Sequence, residues 1–164
     1  MTEHEFIRHY DELSDALFRH CYFRVFERER AKDLVQEAFV RTWDYLARGK
    51  RIDSPKAFLY RVLNNLIIDE SRKRRTLSLD ALSEEGFDPG HDERPERVVA
   101  LEVRNILRFL NKLGPEERDI VVMRYVDDFG PKEISDILGI RENAVSVRLH
   151  RAIQRLRSLM NDHG

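Results

Sequence analysis

Apolar residues recur every three to four positions along most of this chain, and nowhere do they alternate for long enough to build a sheet. Phe6, Tyr10, Leu13 and Leu17 set the spacing, and Leu34, Val35, Ala38, Phe39 and Trp43 repeat it. Such a period places one apolar stripe on one face of an α-helix, whereas a strand needs a period of two. No repeat at a solenoid period is present either. The expected fold class is therefore all-α.

Breakers divide the pattern. Two or more helices are expected between Glu5 and Tyr45, up to the break Gly49-Lys-Arg-Ile-Asp-Ser-Pro55. Ser54 is a good N-cap with Pro55 at the first helical position, which predicts a helix from Pro55 to about Arg74. Residues 76–97 lose the period and carry Gly86, Pro89, Gly90 and Pro95 among acids, the composition of a linker. Helical spacing resumes at Val98, Leu101, Ile106, Phe109, Leu110 and Leu113. Gly114-Pro115 ends that helix, and further helices are expected at 115–127, 131–138 and 142–159. This organisation gives two small helical domains, residues 1–75 and 98–164, joined by a flexible acidic linker over 76–97.

Hydrophobic residues make up 41% and charged residues 36% of the 164, enough for packed cores beneath a highly charged surface. With 29 Lys and Arg against 30 Asp and Glu, the net charge of −1 alone argues against a nucleic-acid binder. The average conceals local fields: basic residues cluster at Arg72-Lys73-Arg74-Arg75 and between Arg141 and Arg157, and acids between Asp80 and Glu96. The single cysteine, Cys21, excludes an intramolecular disulfide and fits a reducing compartment. An N-terminus without an apolar signal core, and no stretch near the roughly 20 apolar residues that span a bilayer, lead us to expect a soluble, cytoplasmic protein without membrane insertion.

Pro131-Lys-Glu-Ile-Ser-Asp-Ile-Leu-Gly139 reads as a short helix closed by a glycine turn, and an Arg-rich helix follows, which is the helix-turn-helix pattern. Ile134, Ile137, Leu138, Ile140, Val145 and Leu149 supply the faces on which these helices cross. Arg141, Asn143, Ser146, Arg148, Arg151 and Arg155 point the other way, with donors suited to guanine edges and phosphates in a major groove. In the N-terminal half, Asp33, Gln36, Glu37 and Arg41 form a polar stripe opposite the apolar face of the 33–43 segment. The segment from Phe58 to Arg75 joins an apolar face to the amides of Asn64 and Asn65, which match base edges, and to a cationic end that neutralises phosphates.

Taken in order, Asp33-Leu-Val-Gln-Glu-Ala-Phe39 with Trp43, Leu59-Tyr-Arg-Val with Asn65-Leu-Ile-Ile-Asp69, and Lys132-Glu-Ile through Val147-Arg-Leu-His-Arg-Ala152 resemble the extracytoplasmic-function sigma factors of bacterial RNA polymerase. The resemblance covers roughly residues 5–75 and 98–160, the family's conserved regions two and four. It implies a factor that binds core RNA polymerase, directs it to promoters through the −10 and −35 elements, and assists melting. Asp33, Gln36, Glu37 and Arg41 are then contacts to the β′ clamp. Lys50, Arg51, Lys56, Arg61, Asn64, Asn65, Arg72, Lys73, Arg74 and Arg75 face the −10 element, with a pocket for an unstacked base in the 49–56 loop. Arg141, Asn143, Ser146, Val147, Arg148, Arg151 and Arg155 face the −35 element.

The same resemblance implies contact with the β subunit, an acidic linker passing along the RNA-exit region, and control by an anti-sigma factor. Two positions depart from the family pattern. Gly130-Pro131 stands where many relatives have a Ser or Thr cap, and Asn64 stands where relatives often carry Arg.

Two other classes compete. A dimeric helix-turn-helix regulator that does not dock on polymerase accounts for residues 115–160 but leaves the two N-terminal motifs as coincidence. An enzyme needs a nucleophile, an acid–base pair or a metal site, and no such motif occurs. His4, His9, His20 and Cys21 fit no standard zinc spacing, and no cofactor is expected.

Overall fold

The computed structural model describes residues 2–78 and 97–163, with side chains over 2–73 and 104–162. Among the described residues every regular element is helical and none is a strand, in agreement with the all-α expectation. Three helices form the N-terminal half: α1 (Glu3–Val25), α2 (Arg28–Ala47) and α3 (Pro55–Ser78). Thr2 starts α1 with a capping box, its hydroxyl accepting from the Glu5 amide at 3.2 Å while the Glu5 carboxylate accepts from the Thr2 amide at 2.7 Å. That backbone hydrogen bond holds the Glu5 carboxyl below its ordinary pKa. Ser54 starts α3, its hydroxyl accepting from the Ala57 amide at 3.4 Å.

Leu17 and Cys21 of α1, Ala31, Val35, Ala38 and Phe39 of α2, and Leu59, Leu63, Leu66 and Ile67 of α3 are buried together, so the predicted apolar stripes do face one another. Trp43 departs from that reading. It is 41% exposed at the rim, held edge-on to Phe6 with ring centroids 5.0 Å apart.

The C-terminal half contains α4 (Arg97–Lys112), α5 (Pro115–Val121), α6 (Pro131–Leu138) and α7 (Glu142–His163). The single helix expected over 115–127 is instead α5 followed by a π-helical segment, Val122–Val126, in which the Asp127 amide donates back to the Val122 carbonyl at 3.0 Å. One wide turn re-aims the chain after it, and Asp128 then takes a left-handed conformation at φ 57. α3 and α7 run to Ser78 and His163, beyond the expected ends near 74 and 159. The acidic stretch from Asp80 to Glu96 lies outside the described residues.

The two halves pack against each other. α1 meets α4 and the π-helical segment, α3 meets α6, and buried residues of both halves belong to one continuous core. At this joint Tyr60 and Phe129 meet edge to face with centroids 4.8 Å apart. Beside them His20 pairs with Asp127, and Arg24 with Asp119.

Candidate nucleic-acid interface

Gly139 makes the helix-turn-helix corner. It sits at φ 69, a left-handed conformation that costs a residue with a Cβ about 1–2 kcal/mol. From there its amide caps α6 by donating to the Ser135 carbonyl at 2.9 Å. Gly130 and Pro131 open α6 with an extended N-cap and no side-chain cap, as their sequence implied. Ile134, Ile137 and Val145 are buried where the two helices cross, and Leu138, Ile140 and Leu149 pack partly buried around them. With that face sealed, α7 presents Arg141, Asn143, Ser146, Val147, Arg151 and Arg155 to solvent, and Arg148 half-buried. Arg155 also approaches Glu117 at 3.9 Å. Val147, 49% exposed, is an apolar spot among donors, the kind of contact a thymine methyl accepts.

On α2 the stripe Asp33, Gln36, Glu37 and Arg41 is exposed, with Arg41 donating to Glu37 at 3.0 Å. The exposed Val40 and Trp43 lie along it. A polar stripe bordered by apolar side chains is the composition of a protein-docking face rather than of a DNA face.

The third set is divided. Lys50, Arg51, Lys56, Arg61, Asn65, Arg72 and Lys73 are exposed; of Arg74 and Arg75 only the helical backbone is described. Lys50 lies over the Tyr45 ring at 5.1 Å and Lys56 over the Phe129 ring at 5.0 Å. Asn64 is placed differently from its neighbour. It is 3% exposed, and its side-chain oxygen accepts from Arg24 Nη1 at 2.6 Å inside the joint. One helical step of about 100° separates a buried amide from a free one.

Residues 9–76 match the family Sigma-70 region 2, and residues 104–156 match Sigma-70, region 4. The ECF RNA polymerase sigma factor SigL of Mycobacterium tuberculosis is 30% identical over 156 residues, covering 94% of this chain and 88% of the relative. The chain belongs to the extracytoplasmic-function sigma factors. SigW of Bacillus subtilis, from the same family, is 30% identical over 162 residues, covering 93% of this chain and 87% of that one. The fold has solved counterparts at 22% identity. The sigma factor RpoE of Bartonella quintana, in complex with the anti-sigma factor NepR, superposes with a TM-score of 0.77 over 96% of this chain and 97% of its own. CnrH, in complex with the cytosolic domain of CnrY, gives 0.75 over 99% and 92%.

This sigma factor is thus a promoter-recognising, DNA-binding regulatory subunit, with α1–α3 in region 2 and α5–α7 in region 4. Sequence reasoning missed one residue that the structure makes prominent. Arg118 donates to the carbonyls of Leu110, Asn111 and Leu113 at 2.8–3.0 Å and to that of Arg24 at 3.4 Å. Its guanidinium also lies 4.9 Å from the centroid of the Phe26 ring. These carbonyls lie at the C-terminal ends of α4 and α1, where only that of Leu110 also accepts from a backbone amide, Leu113 at 3.1 Å, so one planar fork with five donors caps two helices from different regions. Burial pulls its pKa down to about 10, which still leaves it charged at neutral pH. An Arg eight residues beyond its first acceptor leaves no periodic signal.

Proposed function

We propose that region 2, residues 1–75, docks on the β′ clamp of core RNA polymerase through Asp33, Gln36, Glu37 and Arg41. The same region reads and helps to open the −10 element through Asn64 and Asn65. Lys50, Arg51, Lys56, Arg61 and the 72–75 cluster neutralise the backbone there. Region 4, residues 98–164, lays α7 in the major groove of the −35 element, with Arg141, Asn143, Ser146, Val147, Arg148, Arg151 and Arg155 toward the DNA. The protein works in the cytoplasm without chemistry of its own, contacts the β subunit as well, and is controlled by an anti-sigma factor. The two solved counterparts are each in complex with a partner, one of them an anti-sigma factor by name, which supports that last assignment.

The observation that carries this reading is the coexistence of two exposed faces of different chemistry: an acidic–amide stripe with an apolar border on α2, and a basic–amide face on α7. A DNA-only regulator has no use for the first. Run-off transcription on genomic fragments with core polymerase tests it. Defined start sites that appear only with this chain are expected; DNA binding without core-dependent initiation overturns it in favour of an ordinary regulator.

A further inference from the structure

We propose that the exposed face shared by α1 and α2 seats a second copy of this chain, the two α2 helices lying antiparallel about a two-fold axis near Val40, so that the free factor withholds its own polymerase-docking stripe. The withholding, though not the pairing, rests on the β′ assignment above.

Apolar surface is concentrated on this face. Ile7, Tyr10, Val40 and Trp43 are 41–54% exposed, and they are four of the eight large hydrophobic residues left exposed among the described residues. They form one patch. Trp43 lies edge-on to Phe6, the neighbour of Ile7, and Tyr10 packs on Phe39, the neighbour of Val40, with centroids 4.6 Å apart. Large apolar side chains scattered singly need no explanation, whereas a contiguous patch with a polar border marks a surface that is covered by a partner.

The charges identify that partner as the chain itself. At about 100° per residue, Glu37 and Arg41 fall on one side of the exposed face of α2 and Trp43 on the other, with Val40 near its centre. About a two-fold axis across two antiparallel helices, like sides of the face meet. Glu37 therefore comes opposite Arg41 of the second copy, Arg41 opposite the other Glu37, and the two apolar sides lie against each other. A parallel pair would set like charge against like. Within one copy Arg41 already donates to Glu37 at 3.0 Å, but an exposed pair of this kind is weak and readily shared with a second carboxylate. Asp33 and Asp44, both exposed, come close to one another across the axis, a like-charge contact that keeps the pairing weak.

Size points the same way. The 20 residues of α2 make a helix about 30 Å long at ~1.5 Å per residue, and α1 beside it widens the face to roughly 20 Å. That offers roughly 600 Å² per copy, or ~1,200 Å² in all, the lower limit for specific protein pairing. The dimer is therefore reversible, and polymerase, which takes the α2 stripe, displaces the second copy.

The test is sedimentation velocity on the full chain from about 1 to 100 μM, the range in which so small an interface dissociates. A monomer at the low end and a dimer at the high end are expected. Trp43, the single tryptophan of the chain, reports the same step, its emission moving to shorter wavelength as the face is covered. Val40→Asp is expected to stay monomeric throughout. Glu37→Arg and Arg41→Glu are each expected to stay monomeric alone, because each sets like charges across the axis twice, and to form a heterodimer when mixed. All three positions are exposed, so circular dichroism should match the parent, and the dilution series of the parent decides the matter even where a variant does not fold. Adding core polymerase to the parent dimer is expected to give one factor per polymerase. A parent chain still monomeric at the highest concentration leaves the face to polymerase alone and overturns the pairing, as does a dimer that Val40→Asp leaves intact or a mixture of the charge variants that does not pair. Polymerase that binds the intact dimer overturns the withholding. A chain that binds no polymerase at any concentration overturns the β′ reading instead, and is distinguishable because the sedimentation series contains no polymerase.

Discussion

His20 Nδ1 donates to the Asp127 carboxylate at 2.5 Å, while His20 Nε2 accepts from Arg24 Nη1 at 3.2 Å. The guanidinium has no acceptor capacity, so Nε2 must be the bare nitrogen and Nδ1 the protonated one. A neutral imidazole in a single tautomer thus relays polarity from region 2 to region 4 across 107 residues of sequence. Both side chains are nearly inaccessible, at 0% and 2% exposure. Replacing His20 with Leu leaves the Asp127 carboxylate buried without its donor. The expected cost is about 1–3 kcal/mol in urea unfolding of the chain, and an unchanged midpoint would mean that the carboxylate is hydrated there.

Arg24 and Asp119 form a buried ion pair beside that relay. Burial pushes the Asp119 carboxyl above its ordinary pKa even though the Arg24 and Arg118 guanidinium groups pull the other way. Desolvation therefore outweighs attraction at this site. Arg24→Met or Asp119→Leu alone strands one buried charge and is expected to cost about 3–5 kcal/mol; the double variant is expected to cost clearly less than the sum. A double-mutant cycle on unfolding free energies measures the difference, and strict additivity would show that the two charges do not act as a pair.

Arg118→Lys is expected to behave as a loss rather than a conservative change. An ammonium carries three donors on one atom and cannot reach carbonyls spread over Leu110, Asn111, Leu113 and Arg24. Losing two or more of these caps predicts about 2–4 kcal/mol of destabilisation. Amide hydrogen exchange should show the C-terminal turn of α4 fraying first, and protection there equal to that of the parent would refute the capping role.

The helices were legible because their faces are buried on one side only: the α6 limits, the Ser54–Pro55 start of α3 and the Gly139 turn all follow from local rules. The π-helical segment was not legible. Val122, Met123 and Val126 fit an α-helical stripe equally well, and the extra residue in the turn is selected by the contacts Asp127 and Phe129 make with region 2. Asn64 and Asn65 show the same limit at a site. Two adjacent amides look equivalent in sequence, and only packing against Arg24 makes one of them internal. The exposed sets on α2 and α7 needed no such partner, since amphipathicity alone decides which residues stay in water.

Burial raises the Cys21 thiol to a pKa of about 12 from an ordinary value near 9. At pH 8 only about one molecule in ten thousand carries the thiolate, so alkylation of the native protein should be negligible and should become fast in urea. The shift also ties stability to pH. Above pH 9 the thiol ionises in the unfolded chain but not in the folded one, so the folded state binds more protons and stability falls as pH rises toward 12. The buried Tyr60 hydroxyl, also shifted upward by burial, acts in the same sense above pH 10. Rapid native alkylation at pH 8 would contradict the burial.

The α7 face separates two kinds of DNA contact that binding measurements can tell apart. Asn143 and Arg151 are exposed on one side of the helix together with Val147, and under the proposed geometry their amide and guanidinium groups reach base edges. Arg155 lies further along, 3.9 Å from Glu117, and under the same proposed geometry it meets a phosphate. Asn143→Ala or Arg151→Ala is expected to weaken binding to a cognate −35 duplex by about 1–3 kcal/mol while changing binding to random duplex much less. Arg155→Ala is expected to weaken both similarly and to lower the slope of log K against log salt by about one. Anisotropy titrations at several salt concentrations with cognate and scrambled duplexes give both quantities. If Asn143→Ala and Arg155→Ala share one signature, with equal losses on both duplexes, the direct base contact assigned to Asn143 fails and α7 holds DNA through its backbone alone.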